Sequence, residues 1–288
     1  MILVVVVIAW QLWTGSALSR AAFGWQFVTS REWDPVNEVY GAAPYIFGTV
    51  ITSIVALVLA APLGIGAAIF LVELAPRWLR APVGFLVEML AAIPSVIYGL
   101  WAIFVLVPIV HDNIEPFLGK HFGFLPLFQG RPYGVGLLSA SLVLTIMILP
   151  TITAIAQSVL AAVPLNQRDG AYGLGATRWE VITGVTLPYA RGGIIGALML
   201  GLGRALGETM AVTMVIGNNA QISSSLFGLG DSLASVIANQ FAEAQSKLFR
   251  STLIELGLIL FCVSVVLNLL ARLIVARMTS QGGSRGRA

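Results

Sequence analysis

Two opposite charges, Arg204 and Glu208, stand in the middle of an otherwise apolar stretch, RGGIIGALMLGLGRALGETMAVTMVIGN, residues 191–218. A centrally placed arginine costs roughly 2.5–3.5 kcal/mol even on the gentlest membrane-insertion scale, so ionisable side chains there are functional candidates by default. At i and i+4 the two are predicted to share a helix face. Two readings stay open. One is a charge pair lining a path for a polar solute; the other is a structural ion pair that only neutralises itself. A guanidinium can hold two oxygens of an oxyanion in a bidentate fork. A carboxylate one turn along could accept a proton from the bound species.

The polar segment leading into this stretch has a definite spacing. It reads DGAYGLGATRWEVITGVTLPYA over residues 169–190. Gly175 follows Asp169 by six, nine residues separate Gly175 from Val185, and Leu187-Pro188 closes the pattern. The order resembles the EAA loop of ABC importer permeases, E-A-A-x3-G-x9-I-x-L-P. Asp169, Gly170 and Val185 stand where that pattern has Glu, Ala and Ile. In that family the loop forms a short coupling helix that docks into a cleft on a separate ATPase. The resemblance marks Asp169, Gly170, Ala171, Gly175, Val185, Leu187 and Pro188 as ATPase-coupling positions. Gly175 is expected where a turn leaves the first short helix, a place suited to positive φ or close approach.

Three further stretches, GRALGETMAVTMVIGN, REWDPVNEVYGAAPYIFGT and IPSVIYGLWAIFVL, resemble phosphate ABC importer permeases of the PstC type. The resemblance implies an all-α polytopic fold of type I (MetI-like) architecture, with 1–288 as a single transmembrane domain. It implies a second, PstA-like permease, two copies of a cytoplasmic ATPase and an extracytoplasmic phosphate-binding protein. It also implies that Arg204 and Glu208 lie at the substrate pathway. Phosphate keeps an O–H near neutral pH and sulfate does not, so Glu208 could accept from one and repel the other. ATP and Mg belong to the ATPase. This chain has no G-x4-G-K-[ST], since Gly119-Lys120 lacks the upstream glycine, and its glycine-rich GAYGLGA and GLGRALG follow no strand. No cofactor is therefore expected on the chain itself.

Composition points to the same class. Of 288 residues, 58% are hydrophobic and 10% charged, and the mean hydropathy is +0.91. Those values exclude an ordinary soluble domain, and several apolar runs are long enough to cross a bilayer core of about 30 Å. The net charge of +3 fits basic cytoplasmic loops and headgroup contact better than nucleic acid. Cys262 has no internal partner for a disulfide and is expected to be a small buried hydrophobe. His111 and His121 lie ten apart with no further His or Cys, so no metal site is expected.

About six spans must position these residues. Apolar runs are predicted at 2–18, 45–74, 83–110, 134–163, 193–217 and 253–275. The first is short for a span, and a few upstream residues are expected to belong to it. Residues 19–44 form a loop whose Trp25, Phe27, Trp33 and Tyr40 are expected to pack a short helix against the membrane surface. Residues 75–82 read as a short basic turn, 111–133 as a loop, 164–192 as the EAA-like loop, and 276–288 as a disordered basic tail. Small residues four apart, Gly193, Ala197 and Gly201, and likewise Gly203 and Gly207, suit close helix packing. Ser95, Tyr98 and Thr151, with Thr153, could line a polar path, although backbone bonding is the commoner fate of such hydroxyls. Of 16 Lys and Arg, nine fall on the side of the EAA-like loop and six on the other. That bias places the loop and both termini in the cytoplasm, in a bacterial inner membrane on the resemblance. Other readings are a permease for a different oxyanion or small solute, a polytopic membrane enzyme, and an ion-coupled secondary transporter. The enzyme would need acids or histidines converging at one face, and the secondary transporter would be favoured by inverted repeats.

Overall fold

The structure, a computed structural model, describes residues 2–283. They form helices α1 Ile2–Gly15, α2 Ala17–Phe23, α3 Gln26–Thr29, α4 Ala43–Ile69 and α5 Arg77–Ala92. Then come α6 Ser95–Trp101, α7 Val107–Ile109, α8 Glu115–Phe122, α9 Leu137–Ala161 and α10 Leu165–Gly173. The last are α11 Arg178–Val181, α12 Leu187–Leu206, α13 Met210–Val215, α14 Leu233–Gln240 and α15 Lys247–Gly283. The only β-pairing among the described residues is an isolated bridge, Asp34 to Val39. Five segments are long and apolar enough to cross a membrane: Ala43–Leu74, Ser95–Phe122, Leu137–Ala161, Arg178–Leu206 and Lys247–Leu270. The α1–α2 pair, bent by 49°, makes a sixth candidate. This is an all-α, multi-pass membrane protein.

Two spans lie elsewhere than expected. The third begins at Ser95, after a break at Ile93-Pro94, and runs on through His111 and Lys120 to Phe122. The supposed basic turn at 75–82 instead forms the start of α5. The fifth begins at Arg178, inside the predicted loop. One device explains both shifts. Four π-turns, Phe70–Leu74, Ala102–Leu106, Val110–Ile114 and Ile182–Thr186, each end two residues before a proline: Pro76, Pro108, Pro116 and Pro188. Proline lacks an N–H and crowds the carbonyl four residues back. A wider turn just upstream accommodates that carbonyl, so at Pro108, Pro116 and Pro188 the helix continues where sequence punctuation suggested a stop. Helix α15 runs to Gly283, where a disordered tail was expected from residue 276; residues 284–288 of that tail lie outside the described residues. Cys262 of the same helix, expected to be buried, is left exposed.

The chain divides into two compact units. One comprises the residues up to Ala56, Pro94–Leu144 and Ala205–Val265. Its core gathers Phe27, Tyr40, Tyr45, Leu233, Val236 and Phe249. Trp33 packs edge-on against Tyr45 at 4.8 Å and Tyr40 at 5.0 Å, and its indole N–H donates to Gln240 Oε1 at 3.0 Å. The aromatics of residues 19–44 thus build a protein core; of those expected at the membrane surface, Trp25 is the one left exposed. In the same unit α6 meets α13 closely. A Cβ on Gly99 would lie 2.5 Å from Met214 Sδ and 3.1 Å from Ala211 Cα.

The other unit comprises Leu57–Ile93, Thr145–Arg204 and the residues from Val266. Here α9 is the central post. Its Ile152 fills the space over Gly64 of α4 and Gly201 of α12, where an added Cβ would come within 2.9 Å in each case. Gly193 faces Val159 more tightly still, and Ala197 between them is fully buried. The small-residue stripe Gly193, Ala197, Gly201 is therefore a packing seam, as expected. Gly203 faces open space and does not belong to it.

Candidate substrate pathway and coupling surface

The segment after α9 is built by local rules. Helix α10 stops in a turn where Gly175 has φ +86. The Gly175 N–H donates to Tyr172 O at 2.9 Å and the Ala176 N–H to Ala171 O at 3.1 Å. This pair of bonds is the Schellman stop, which needs a left-handed residue where Gly175 sits. The glycine of the spacing pattern thus has a backbone reason, and a side chain there would meet nothing within 4 Å. Thr177 then starts α11 with a capping box: its N–H donates to Glu180 Oε2 at 2.7 Å and its hydroxyl accepts from the Glu180 N–H. The Thr-x-x-Glu signature was legible in the sequence and went unused there.

The segment leaves large apolar side chains exposed. Leu174 is 91% exposed, Leu165 70% and Trp179 64%. Asp169 and Gly170 are exposed beside them. Val185, Leu187 and Pro188 sit apart from this face, in the π-turn and first turn of α12. Leu187 packs against the cluster of Ala68, Ala156 and Leu160. What the sequence reading missed is the fastening. Glu73, in the π-turn that ends α4, is 7% exposed and meets Arg168 of α10 at 3.1 Å. Arg168 also donates to Leu160 O at 2.6 Å, and Arg178 donates to the Glu73 carbonyl. Arg168 and Arg178 are two of the nine basic residues on the side of the EAA-like loop, and nothing in their spacing announces this contact.

Arg204 and Glu208 are not on one continuous helix. Helix α12 ends at Leu206, and α13 begins at Met210 after a break at Gly207–Thr209. The shared face expected from the i, i+4 spacing is thereby removed. Arg204 lies half-buried in the last turn of α12. Glu208 Oε1 accepts from the Ala211 N–H at 3.3 Å and so caps α13. Among the described residues Glu73 and Arg168 form an ion pair, and His111 Nδ1 lies 2.7 Å from Asp112 Oδ1. Within its own unit Glu208 has α6 as a neighbouring element, because α13 and α6 pack through Gly99. Helix α6 carries half-buried Ser95 at its start and buried Tyr98. Arg204 and half-buried Thr151 belong to the other unit. Thr153 bonds back to Leu149 O at 2.9 Å, the ordinary fate of a helical hydroxyl.

Comparison with known proteins places this architecture. Residues 60–280 match the family described as binding-protein-dependent transport system inner membrane component. The phosphate transport system permease protein PstC of Pasteurella multocida is 52% identical over 275 residues, covering 94% of this chain and 86% of that protein. The PstC protein of Mesorhizobium japonicum is 49% identical over 281 residues, covering 96% and 86%. Among solved structures, a bacterial alginate ABC transporter in complex with a pentasaccharide-bound periplasmic protein superposes with a TM-score of 0.62 at 17% identity, covering 92% of this chain and 87% of that one. An inward-facing MetNI methionine ABC transporter gives 0.61 at 17% identity, covering 86% and 99%. At such identities the two structures speak for the fold. The chain belongs to the binding-protein-dependent transport system inner membrane component family, and within it to the PstC-type permeases.

Proposed function

We propose that this chain is the membrane-spanning permease subunit of an ATP-driven importer of inorganic phosphate. It is a transport subunit and not an enzyme. The observation that carries the reading is the surface at residues 165–181. Exposed Leu165, Leu174 and Trp179 sit on two capped short helices fastened to the end of α4 by Glu73. An exposed apolar patch tied to the body of the chain is what a docking partner needs. Near 50% identity to phosphate permeases over almost the whole chain supplies the substrate.

In this proposal the 165–181 surface faces the cytoplasm, where two ATPase copies carrying ATP and Mg engage this chain and a second, PstA-like permease. An extracytoplasmic binding protein delivers phosphate to the other face. ATP binding and hydrolysis rock the permeases between inward-open and outward-open states. Arg204 offers the oxyanion a guanidinium fork. Glu208, with Ser95, Tyr98 and Thr151, contributes polar walls. The test is purification from native membrane followed by reconstitution. A chain carrying a P-loop is expected to copurify, and labelled phosphate uptake is expected to require ATP and to resist competition by sulfate. ATP-independent uptake, or equal uptake of both anions, would overturn the corresponding half of the proposal.

A further inference from the structure

Two short helices, α10 and α11, converge on Glu73. It lies in the Phe70–Leu74 turn that ends α4. Its carboxylate meets Arg168 of α10 at 3.1 Å, with side-chain exposures of 7% and 12%. The same Arg168 donates to Leu160 O in the last turn of α9 at 2.6 Å. The first residue of α11, Arg178, donates to the Glu73 carbonyl. Both short helices that carry the exposed apolar surface are thus tied to one buried acidic residue.

A buried ion pair is a poor choice for stability alone. Well-packed apolar side chains of similar volume hold such a contact as well or better, because they carry no desolvation penalty. This pair is also incompletely satisfied. Among the described residues Glu73 Oε1 and Arg168 Nε have no hydrogen-bond partner, so the 3.1 Å approach is ionic without hydrogen-bond alignment. A contact of that kind tolerates shifts of the carboxylate against the guanidinium, which Leu160 O holds from its other side, while the charges stay together. It suits a tether that must follow a moving element better than a lock that must hold it still. The Arg178 bond to the carbonyl adds a second point of attachment, and two points transmit a tilt where one transmits only a pull.

We propose that Glu73 is the positioning residue that passes movement of the α10–α11 surface to the span Ala43–Leu74. This rests on the reading that the 165–181 surface docks the ATPase. The experiment uses the assembled complex in liposomes and measures ATP hydrolysed per phosphate imported, together with ATPase copurification. In Glu73→Gln and Arg168→Gln, ATPase copurification is expected within about twofold of wild type and hydrolysis to continue. Phosphate uptake is expected to fall tenfold or more, so the ATP-to-phosphate ratio rises by the same factor. Arg168→Lys keeps the charge, and its ratio is expected between the two. A ratio within twofold of wild type in both Gln variants would overturn the proposal. So would joint loss of copurification and uptake in Glu73→Gln and Arg168→Lys, since the residue would then be merely structural. Failure of the wild-type chain to bind any ATPase would instead sink the docking reading and is seen before any variant is made.

Discussion

At the scale of single residues, Arg204 and Glu208 come apart in a way that sharpens their test. The i, i+4 spacing suggested a self-neutralising pair on one helix, and the helix is interrupted at Gly207–Thr209. Glu208 spends one oxygen on capping α13. In the proposed function Arg204 is the partner of the anion. A hydrogen bond to a charged group is worth about 1.5–3 kcal/mol, or roughly 10- to 100-fold. Arg204→Gln is expected to lower phosphate uptake by that factor with the complex still assembled, and Arg204→Lys to lose less because charge remains without the fork. Arg204→Gln/Glu208→Gln is expected to be no better than Arg204→Gln. Wild-type uptake of labelled phosphate by the double variant would show the path runs elsewhere. A second acid makes a pH prediction. Burial pushes the Asp231 carboxyl up to about 6 from its ordinary 3.8, against the opposing pull of bonds from Ser235 and Ser232. The folded form therefore holds its proton at a pH where the unfolded form has released it. Stability falls as pH rises from about 4 to about 6 and is level above, by about 3 kcal/mol at most. Asp231→Asn, which stays neutral, is expected to flatten this part of the profile. Thermal midpoints at pH 4.5 and 7.5 in detergent would check it; an unchanged difference between the two pH values would count against the assignment.

Packing decides the element scale, and here the sequence was partly legible. Gly193, Ala197 and Gly201 announced a close helix contact by their spacing, and α9 supplies it through Val159 and Ile152. An added methyl at Gly193 must displace the branched Val159 side chain. Overpacking of this kind costs about 1–3 kcal/mol, so Gly193→Ala is expected to lower the thermal midpoint and Gly193→Ala/Val159→Ala to recover most of the loss. An undiminished midpoint in the single variant would mean the seam is looser than drawn. The Gly175 stop was equally legible, because only a residue tolerant of positive φ serves there. Span boundaries were not. The π-turns ahead of Pro108, Pro116 and Pro188 let helices run through prolines, and polar His111, Asp112 and Asn113 looked like a loop. The Glu73 fastening was invisible for a different reason. Glu73 lies 95 residues before Arg168 along the chain, and a single acid at the end of an apolar run reads as an interfacial charge until the fold brings it to Arg168.

The whole molecule leaves most of its span surface uncovered. Helix α9 is 67% buried inside the chain over its apolar window, whereas the other four spans are 17–33% buried. Those outer faces must be covered by lipid or by another protein. An anion crossing a core of about 30 Å needs polar groups along the way, since a bare charge in hydrocarbon is costly. In the proposed pathway this chain offers one arginine, Arg204, and one acid, Glu208. A second permease supplying the opposite wall is the simplest completion, and the PstC-type relatives belong to phosphate transport systems. Expressed by itself, the chain is expected to insert as a multi-pass protein, because its spans are apolar enough to do so unaided. Reconstituted with the ATPase alone, it is expected to give no uptake above empty liposomes. Adding the second permease is expected to restore ATP-dependent uptake. The measurement is labelled phosphate retained by the three preparations at equal amounts of this chain, with ATPase binding checked in each. Uptake by the chain and ATPase together, without the second permease, would mean that two copies of this chain can face each other, and that the pathway needs only the residues it already carries.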